Sequence, residues 1–171
     1  MTTTGYSTVD FDLWPSFSKF ILVLLMVVGA CAGSTGGGVK VSRVVLTCKS
    51  IFLELGQVLH PHGVQRMRMD GKTVDSKVLT SIYIFLITYF LIFFLSILVV
   101  SLDGFSFETN FTAVAATLNN IGPGLAGVGP TRNFFDYSHL SKLVLIFDML
   151  AGRLELLPML ILFYPRTWTR N

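Results

Sequence analysis

Residues 78–102 read VLTSIYIFLITYFLIFFLSILVVSL, a run of 25 residues without a charged side chain. At about 1.5 Å of rise per residue, a helix of this length crosses a hydrocarbon core of about 30 Å. The composition of the 171-residue chain agrees, since 52% of its residues are hydrophobic and only 13% are charged. A typical soluble domain carries about 25% charged residues. The sequence therefore predicts an integral membrane protein and argues against a disordered chain, a nucleic-acid-binding module and most soluble enzymes.

Two other segments, residues 17–39 and 139–164, are also long enough to span the membrane. The later one contains Asp148, Arg153 and Glu155, which are costly against lipid and are expected to face protein or water. One interpretation is that either Arg153 or Glu155 lines a pore while the other finds a partner elsewhere. The alternative is that the three charges form a purely structural ion network.

Residues 107–118 are mildly apolar but too short to cross the membrane. They end in a stretch rich in Asn, Gly and Pro at residues 119–130. A short helix that stops in this way at membrane depth predicts a re-entrant segment.

The charges predict the orientation of the loops. Residues 40–77 carry seven basic and three acidic side chains, whereas the connections on the other side are mostly acidic. Because positive loops tend to stay in the cytoplasm, residues 40–77 and the C-terminus are expected there. Within this stretch, residues 50–59 are typical of a short amphipathic helix.

An internal repeat relates the first and last spans. Ser18-Lys19 precedes Gly29 by nine intervening residues, and Ser141-Lys142 precedes Gly152 by the same interval. A short polar stretch centred on glycine lies upstream of each copy, at residues 3–7 and 120–124. The predicted unit is an outer helix, a pore helix, a filter-like loop and an inner helix, although chance matching between apolar helices is the alternative.

The polar stretches suggest an ion filter. Thr4-Gly5-Tyr6 resembles the Thr-Val-Gly-Tyr-Gly signature of potassium channels, in which backbone carbonyls replace the hydration shell of the ion. Such a loop needs unusual backbone angles, which Gly5 and Gly122 tolerate. A polar tail and an ordinary turn are the alternatives for the two stretches taken singly.

A glycine-rich stretch interrupts the first span, and it consists of Gly33, Ser34, Thr35, Gly36, Gly37 and Gly38. It is not a Walker A loop, because Val39 separates Gly38 from Lys40 and no strand precedes it. A broken helix at this depth is tolerated where it lines a water-filled cavity, which predicts a mobile plug. The alternative is a flexible helix end. Nothing in the chain resembles a catalytic dyad, so no enzyme activity is expected.

Taken in order, Thr-Thr-Gly-Tyr-Ser, Gly-Ser-Thr-Gly-Gly-Gly-Val-Lys, Asn-Asn-Ile-Gly-Pro-Gly and Ala-Gly-Arg-Leu-Glu resemble the Trk/Ktr superfamily of potassium-translocating subunits, most of all its TrkH type. The resemblance implies an all-α integral membrane fold of M1–pore helix–filter–M2 repeats around a pseudo-fourfold axis. About one and a half repeats are present. Residues 1–39 would end the third repeat, residues 40–77 form a cytoplasmic basic linker, and residues 78–171 form the fourth repeat.

The resemblance also implies roles for single residues. The implied potassium-binding filter consists of Thr3, Thr4, Gly5, Tyr6, Asn120, Ile121, Gly122 and Pro123. The implied gate consists of residues 33–38 together with Arg153. Because no pore helix precedes Thr2, the chain is expected to be a fragment of a longer protein.

The implied function is potassium uptake across the bacterial inner membrane, with K⁺ as the transported ion and no covalently bound cofactor. The implied partners are the lipid bilayer, a second copy of the full-length protein and a cytosolic nucleotide-binding regulatory subunit like TrkA or KtrA, contacted by the basic face of residues 40–77. No nucleic acid is expected. Half of a secondary transporter and a small self-oligomerising cation channel subunit are the alternatives.

Overall fold

The computed structural model describes residues 3–31, 33–34, 36–59, 67–69, 71–154 and 156–162. Its helices, in chain order, are α1 (Ser16–Val27), α2 (Val41–Leu59), α3 (Ser76–Val100), α4 (Phe107–Leu118), α5 (His139–Leu154) and α6 (Leu156–Leu162). Short 3-10 turns lie at Phe11–Leu13, Ser101–Asp103 and Ala126–Val128. A small antiparallel hairpin of β1 (Arg68–Met69) and β2 (Lys72–Thr73) precedes α3.

Helix α3 forms from the uncharged apolar run at residues 78–102. Asp75 caps its first turn, because the carboxylate accepts a hydrogen bond from the Lys77 backbone N–H. Among the described residues, the segment Ser76–Asp103 is the one helix that is long and apolar enough to cross a membrane. Its buried side packs against α4 and α5, and this contact forms most of the hydrophobic core.

Helix α4 has the bounds predicted for the short segment at 107–118. Ser106 begins it as N-cap, accepting a hydrogen bond from the Thr109 backbone N–H. From Thr109 to Leu118 every residue except Phe111 is buried. Helices α1, α3 and α5 all contact α4, so this short helix lies inside the bundle.

The first predicted span, residues 17–39, is helical only as far as Val27, so the helix ends six residues before Gly33 of the glycine-rich stretch. Helix α1 ends at Val27, and the residues after it form a loop. The loop returns to the end of α1, where the Gly29 N–H donates to the Val39 carbonyl at 2.8 Å and Val28 pairs with Val39. The twelve residues of α1 cover only about 18 Å, which is shorter than the hydrocarbon core.

The helix predicted over residues 50–59 begins nine residues earlier, at Val41. It runs along the first part of α3, where the Tyr83 hydroxyl donates to the Ser50 hydroxyl at 2.7 Å. The predicted last span is helical as α5 followed by α6, and Glu155 between them lies outside the described residues, as do residues 163–171.

Candidate functional site

The two predicted filter loops share one backbone pattern. In the first loop Thr3 and Gly5 have φ angles of 52° and 75°. In the second loop Asn120 and Gly122 have φ angles of 54° and 108°. Both loops therefore place alternate residues in the left-handed region, which costs a non-glycine residue about 1 kcal/mol or more and is typical of functional loops.

The two loops also contact each other through their backbones. A Cβ built on Gly122 would lie 3.7 Å from the Cα of Gly5, and one built on Gly5 would lie 2.9 Å from the Ile121 carbonyl oxygen. Glycine at position 5 is thus required both by its φ angle and by the close approach of Ile121. A cleft of about 210 Å³ lies at this contact, and its lining includes Thr3, Thr4, Gly5, Tyr6, Ile121 and Pro123. The Tyr6 side chain is 96% exposed.

The carboxyl end of α4 leads directly into the second loop, and Asn119 fixes the junction. The Tyr89 hydroxyl of α3 donates to Asn119 Oδ1 at 2.9 Å, while Asn119 Nδ2 donates to the Ala115 carbonyl at 2.8 Å. The next residue, Asn120, donates from Nδ2 to the Met149 carbonyl of α5 at 3.1 Å. Tyr89 and Asn119 were not among the predicted site residues, although a buried tyrosine in an uncharged helix is expected to bond to a polar partner.

The glycine-rich loop lies against this junction. A Cβ on Gly37 would lie 2.6 Å from the Asn119 carbonyl oxygen, and one on Gly38 would lie 2.7 Å from Asn119 Oδ1. On the other side of the loop, a Cβ on Gly36 would lie 3.8 Å from the Thr3 hydroxyl. The loop therefore contacts the second filter loop at its base and approaches the first. Thr35 lies outside the described residues, and Gly33 has no atom near its Cβ position.

Arg153 and the glycine-rich loop line the same cavity of about 200 Å³. Ser34, Gly36 and Gly38 come from the loop, and Gly152 and Arg153 come from the end of α5. The predicted gate residues that the structure describes are thus brought together, apart from Gly33 and Gly37, which do not line this cavity. Two basic residues that were not among the predicted site residues, Lys40 and Arg43, also line this cavity. The Arg43 guanidinium stacks over the Phe85 ring at 3.9 Å.

On the opposite side of the bundle, Asp12 joins the N-terminal segment to the second copy of the repeat. Its Oδ1 accepts hydrogen bonds from the Ala126 backbone N–H and from Lys19 Nζ, both at 3.0 Å. The Ala126 N–H contributes most to lowering the pKa of the Asp12 carboxyl, and Lys19 adds to the effect. Lys19 also lies 3.9 Å from Glu108 of α4.

Comparison with known proteins establishes the class first. The family model described as TrkH, cation transport protein, matches residues 1–169. The Trk system potassium uptake protein TrkH of Escherichia coli strain K12 is 38% identical over 167 residues, which are 98% of this chain and 34% of that protein. The TrkH protein of Vibrio parahaemolyticus is 40% identical over the same length. The class is therefore that of membrane cation transporters.

The crystal structure of the potassium transporter TrkH from Vibrio parahaemolyticus superimposes with a TM-score of 0.87 at 39% identity. The match covers 98% of this chain and 36% of that one. The chain belongs to the TrkH family, as the resemblance of its motifs predicted, and it spans about a third of the length of these relatives. The prediction that it is not an enzyme is confirmed, because the relatives are transport proteins.

Proposed function

We propose that this chain is the part of a potassium uptake protein that carries two of its filter loops, residues 3–6 and 120–123. The relatives are named as potassium uptake proteins, which supports potassium as the transported ion. The observation that carries the proposal is the direct backbone contact of Gly5 with Ile121 and Gly122. Two loops with matching φ patterns that meet at one place are suited to present carbonyl oxygens to one dehydrated cation.

Helix α4 adds an electrostatic contribution. Its carboxyl end bears the negative end of the helix dipole, and it directly precedes residues 120–123. A cation in front of that loop is therefore stabilised by α4 as well as by loop carbonyls. The hydrogen bonds of Asn119 and Asn120 hold the loop to α3 and α5, so the carbonyls are positioned before the ion arrives.

The gate in this proposal is the loop of residues 33–38 together with Arg153. The loop contacts the base of the second filter loop, and the arginine lines the cavity beside it. A positive charge in the ion path raises the energy of a nearby cation, and this opposes passage in the resting state. Movement of the loop and withdrawal of Arg153 would open the path.

Two filter loops supply ligands from only part of the circle that a carbonyl cage requires. We therefore assign residues 1–39 to the end of a third repeat and residues 78–171 to a fourth, with the other loops supplied by a longer protein. In this arrangement residues 40–77 and the C-terminus face the cytoplasm of the bacterial inner membrane. The basic residues there would contact a nucleotide-binding regulatory subunit, and the complete protein would form a homodimer.

The test uses a chimera in which this chain replaces the matching segment of the Vibrio parahaemolyticus relative. The chimera should take up potassium, and Gly122→Ser should reduce the discrimination between potassium and sodium about tenfold more than it reduces the maximal rate, because a Cβ at φ 108° rotates a loop carbonyl. Gly104→Ser is the matched control, since Gly104 also has positive φ but lies outside both loops with open space around it. Unchanged discrimination at normal expression would remove Gly122 from the filter.

Liposomes that contain only this chain distinguish the alternatives. The proposal predicts no potassium flux above that of empty vesicles, because the cage is incomplete. Flux that requires self-association would instead identify a small channel subunit, and flux driven by a gradient of a second ion would identify half of a secondary transporter.

A further inference from the structure

Asp148 is a carboxyl group inside the bundle that the proposed ion path does not use. Asp148 is 0% exposed. Because this burial is reached in a chain only a third as long as its relatives, no further segment is needed to bury the carboxyl group. One oxygen, Oδ1, lies 2.8 Å from the Ser96 hydroxyl of α3. The other, Oδ2, has no hydrogen-bond partner among the described residues.

The elements packed around Asp148 offer little to balance a negative charge. Helix α3 has no charged residue after Lys77, and its titratable group near Asp148 is the Tyr89 hydroxyl, which is already bonded to Asn119. On α4 the single charged residue is Glu108, which is acidic and lies in the first turn. Helix α6 carries no charged residue.

The basic residues of α5 itself point away from Asp148. Lys142 precedes it by six residues and Arg153 follows it by five, which at 100° per residue places both on other faces of the helix. Lys142 Nζ donates to the Phe135 carbonyl at 2.7 Å, and Arg153 is exposed. Glu155 lies outside the described residues.

An ionised carboxylate in this position would be buried with one oxygen unsatisfied, at a cost of several kcal/mol. The neutral acid avoids most of that cost. The Ser96 hydroxyl donates to Oδ1, which serves as the carbonyl oxygen of the neutral acid, and the proton lies on Oδ2. A neutral hydroxyl without a partner is cheaper to bury than an unpaired charge.

We propose that Asp148 and Ser96 form a proton-binding site between α3 and α5, at which the carboxyl holds a proton at neutral pH. The Ser96 hydroxyl joins the two helices through one hydrogen bond to this carboxyl. Gly152 follows Asp148 by one helical turn and packs against the Leu118 carbonyl at the end of α4, so the site fixes α5 beneath the second filter loop. The equivalent position in the other copy of the repeat is Leu25, so this site belongs to the second copy.

Infrared spectroscopy of the full chain in lipid vesicles tests the proposal directly. At pH 7 the wild type should show the carbonyl stretch of a protonated carboxyl. This pH lies well above the pH of about 4 at which an exposed Asp ionises. The band should shift when all Asp carboxyls carry ¹³C, and it should be lost in Asp148→Asn. Ser96→Ala should shift it to higher frequency, because the hydrogen bond is removed. Asp136→Asn, which changes an exposed carboxyl, should leave it unchanged.

A wild-type spectrum at pH 7 without an Asp-derived band would overturn the proposal, as would a band that survives in Asp148→Asn. If Asp148→Asn does not fold, the ¹³C shift in the wild type and the frequency shift in Ser96→Ala still decide the matter. These outcomes do not depend on transport, so a failed transport test leaves this site standing.

Thermal stability as a function of pH gives an independent reading. The folded chain binds the proton more tightly than the unfolded chain, so stability falls as the pH rises. Wild type and Asp148→Asn should unfold at similar temperatures at low pH, and the amide variant should be the more stable at high pH. A difference that is the same at every pH would contradict the proposal.

Discussion

In the first copy of the repeat, α1 ends at Val27, two residues before Gly29, and the chain leaves as a glycine-rich loop. In the second copy, α5 continues through the equivalent Gly152 to Leu154. Both glycines lie where a backbone carbonyl approaches too closely for a Cβ, but Gly29 meets the Gly37 carbonyl of the loop and Gly152 meets the Leu118 carbonyl of α4. The same element of sequence thus accommodates the glycine-rich loop in one copy and the end of α4 in the other.

The largest effect is expected from Gly152→Ala, because neither α5 nor the buried end of α4 has room to yield. We expect a loss of about 3 kcal/mol in the free energy of unfolding, measured by denaturant titration in detergent micelles. Gly29→Ala should cost only about 1 kcal/mol, since its neighbour is a loop. Equal losses in the two variants would show that the loop is packed as rigidly as α4.

The next largest effect is expected from Tyr89→Phe, which should lower the free energy of unfolding by about 2 kcal/mol. It removes the donor to Asn119 Oδ1 and leaves a buried acceptor without its partner. Tyr83→Phe is the matched control, because its hydroxyl bonds Ser50 in a partly buried position and the loss should be smaller. A larger loss in the control would show that Asn119 is not the fixed point between α4 and the second loop.

Arg153→Ala tests the proposed role of Arg153 in closing the ion path, for which the first copy of the repeat has no counterpart. In the chimera it should raise the basal potassium flux per folded molecule several-fold, which corresponds to about 1 kcal/mol of lost electrostatic barrier. Arg153→Lys keeps the charge and should keep the low basal flux. Unchanged flux per molecule with a reduced amount in the membrane would assign Arg153 a structural role only.

The smallest effect is expected from Asp12→Asn, at less than about 1 kcal/mol, because the Asp12–Lys19 pair is half-buried. The lowered pKa of Asp12 sets the sign of its pH dependence. Its contribution to stability is present above about pH 4 and is lost as the pH falls through the lower folded-state value. Denaturant titrations at several pH values and salt concentrations check this, and an acid dependence that survives in Asp12→Asn would assign it to other carboxyls.

Sequence alone predicted α3 and α4 well, because an uncharged run and a capped short helix are local signals. It also predicted matching positions for residues 3–7 and 120–124, and the two stretches share one backbone pattern. The return of the chain from Val28 to Val39 was not predicted, since it depends on backbone hydrogen bonds between residues ten to twelve apart.

The hydrogen-bond partners of the buried polar groups were also not predictable from the sequence. Tyr89 and Asn119 are separated by 30 positions, and Ser96 and Asp148 by 52. Such pairs are fixed by how α3 packs against α4 and α5, and a single sequence without aligned relatives does not reveal that packing.

The central claim is that residues 3–6 and 120–123 line one ion path, and a double-mutant cycle in the chimera tests it most directly. Discrimination between potassium and sodium uptake is measured in Gly5→Ser, Gly122→Ser and the double variant. If the loops contribute to one filter, each single change should reduce discrimination and the double variant should be little worse than either, because one site is lost once. Independent, multiplicative effects, or discrimination that responds to only one of the two glycines, would contradict the shared path.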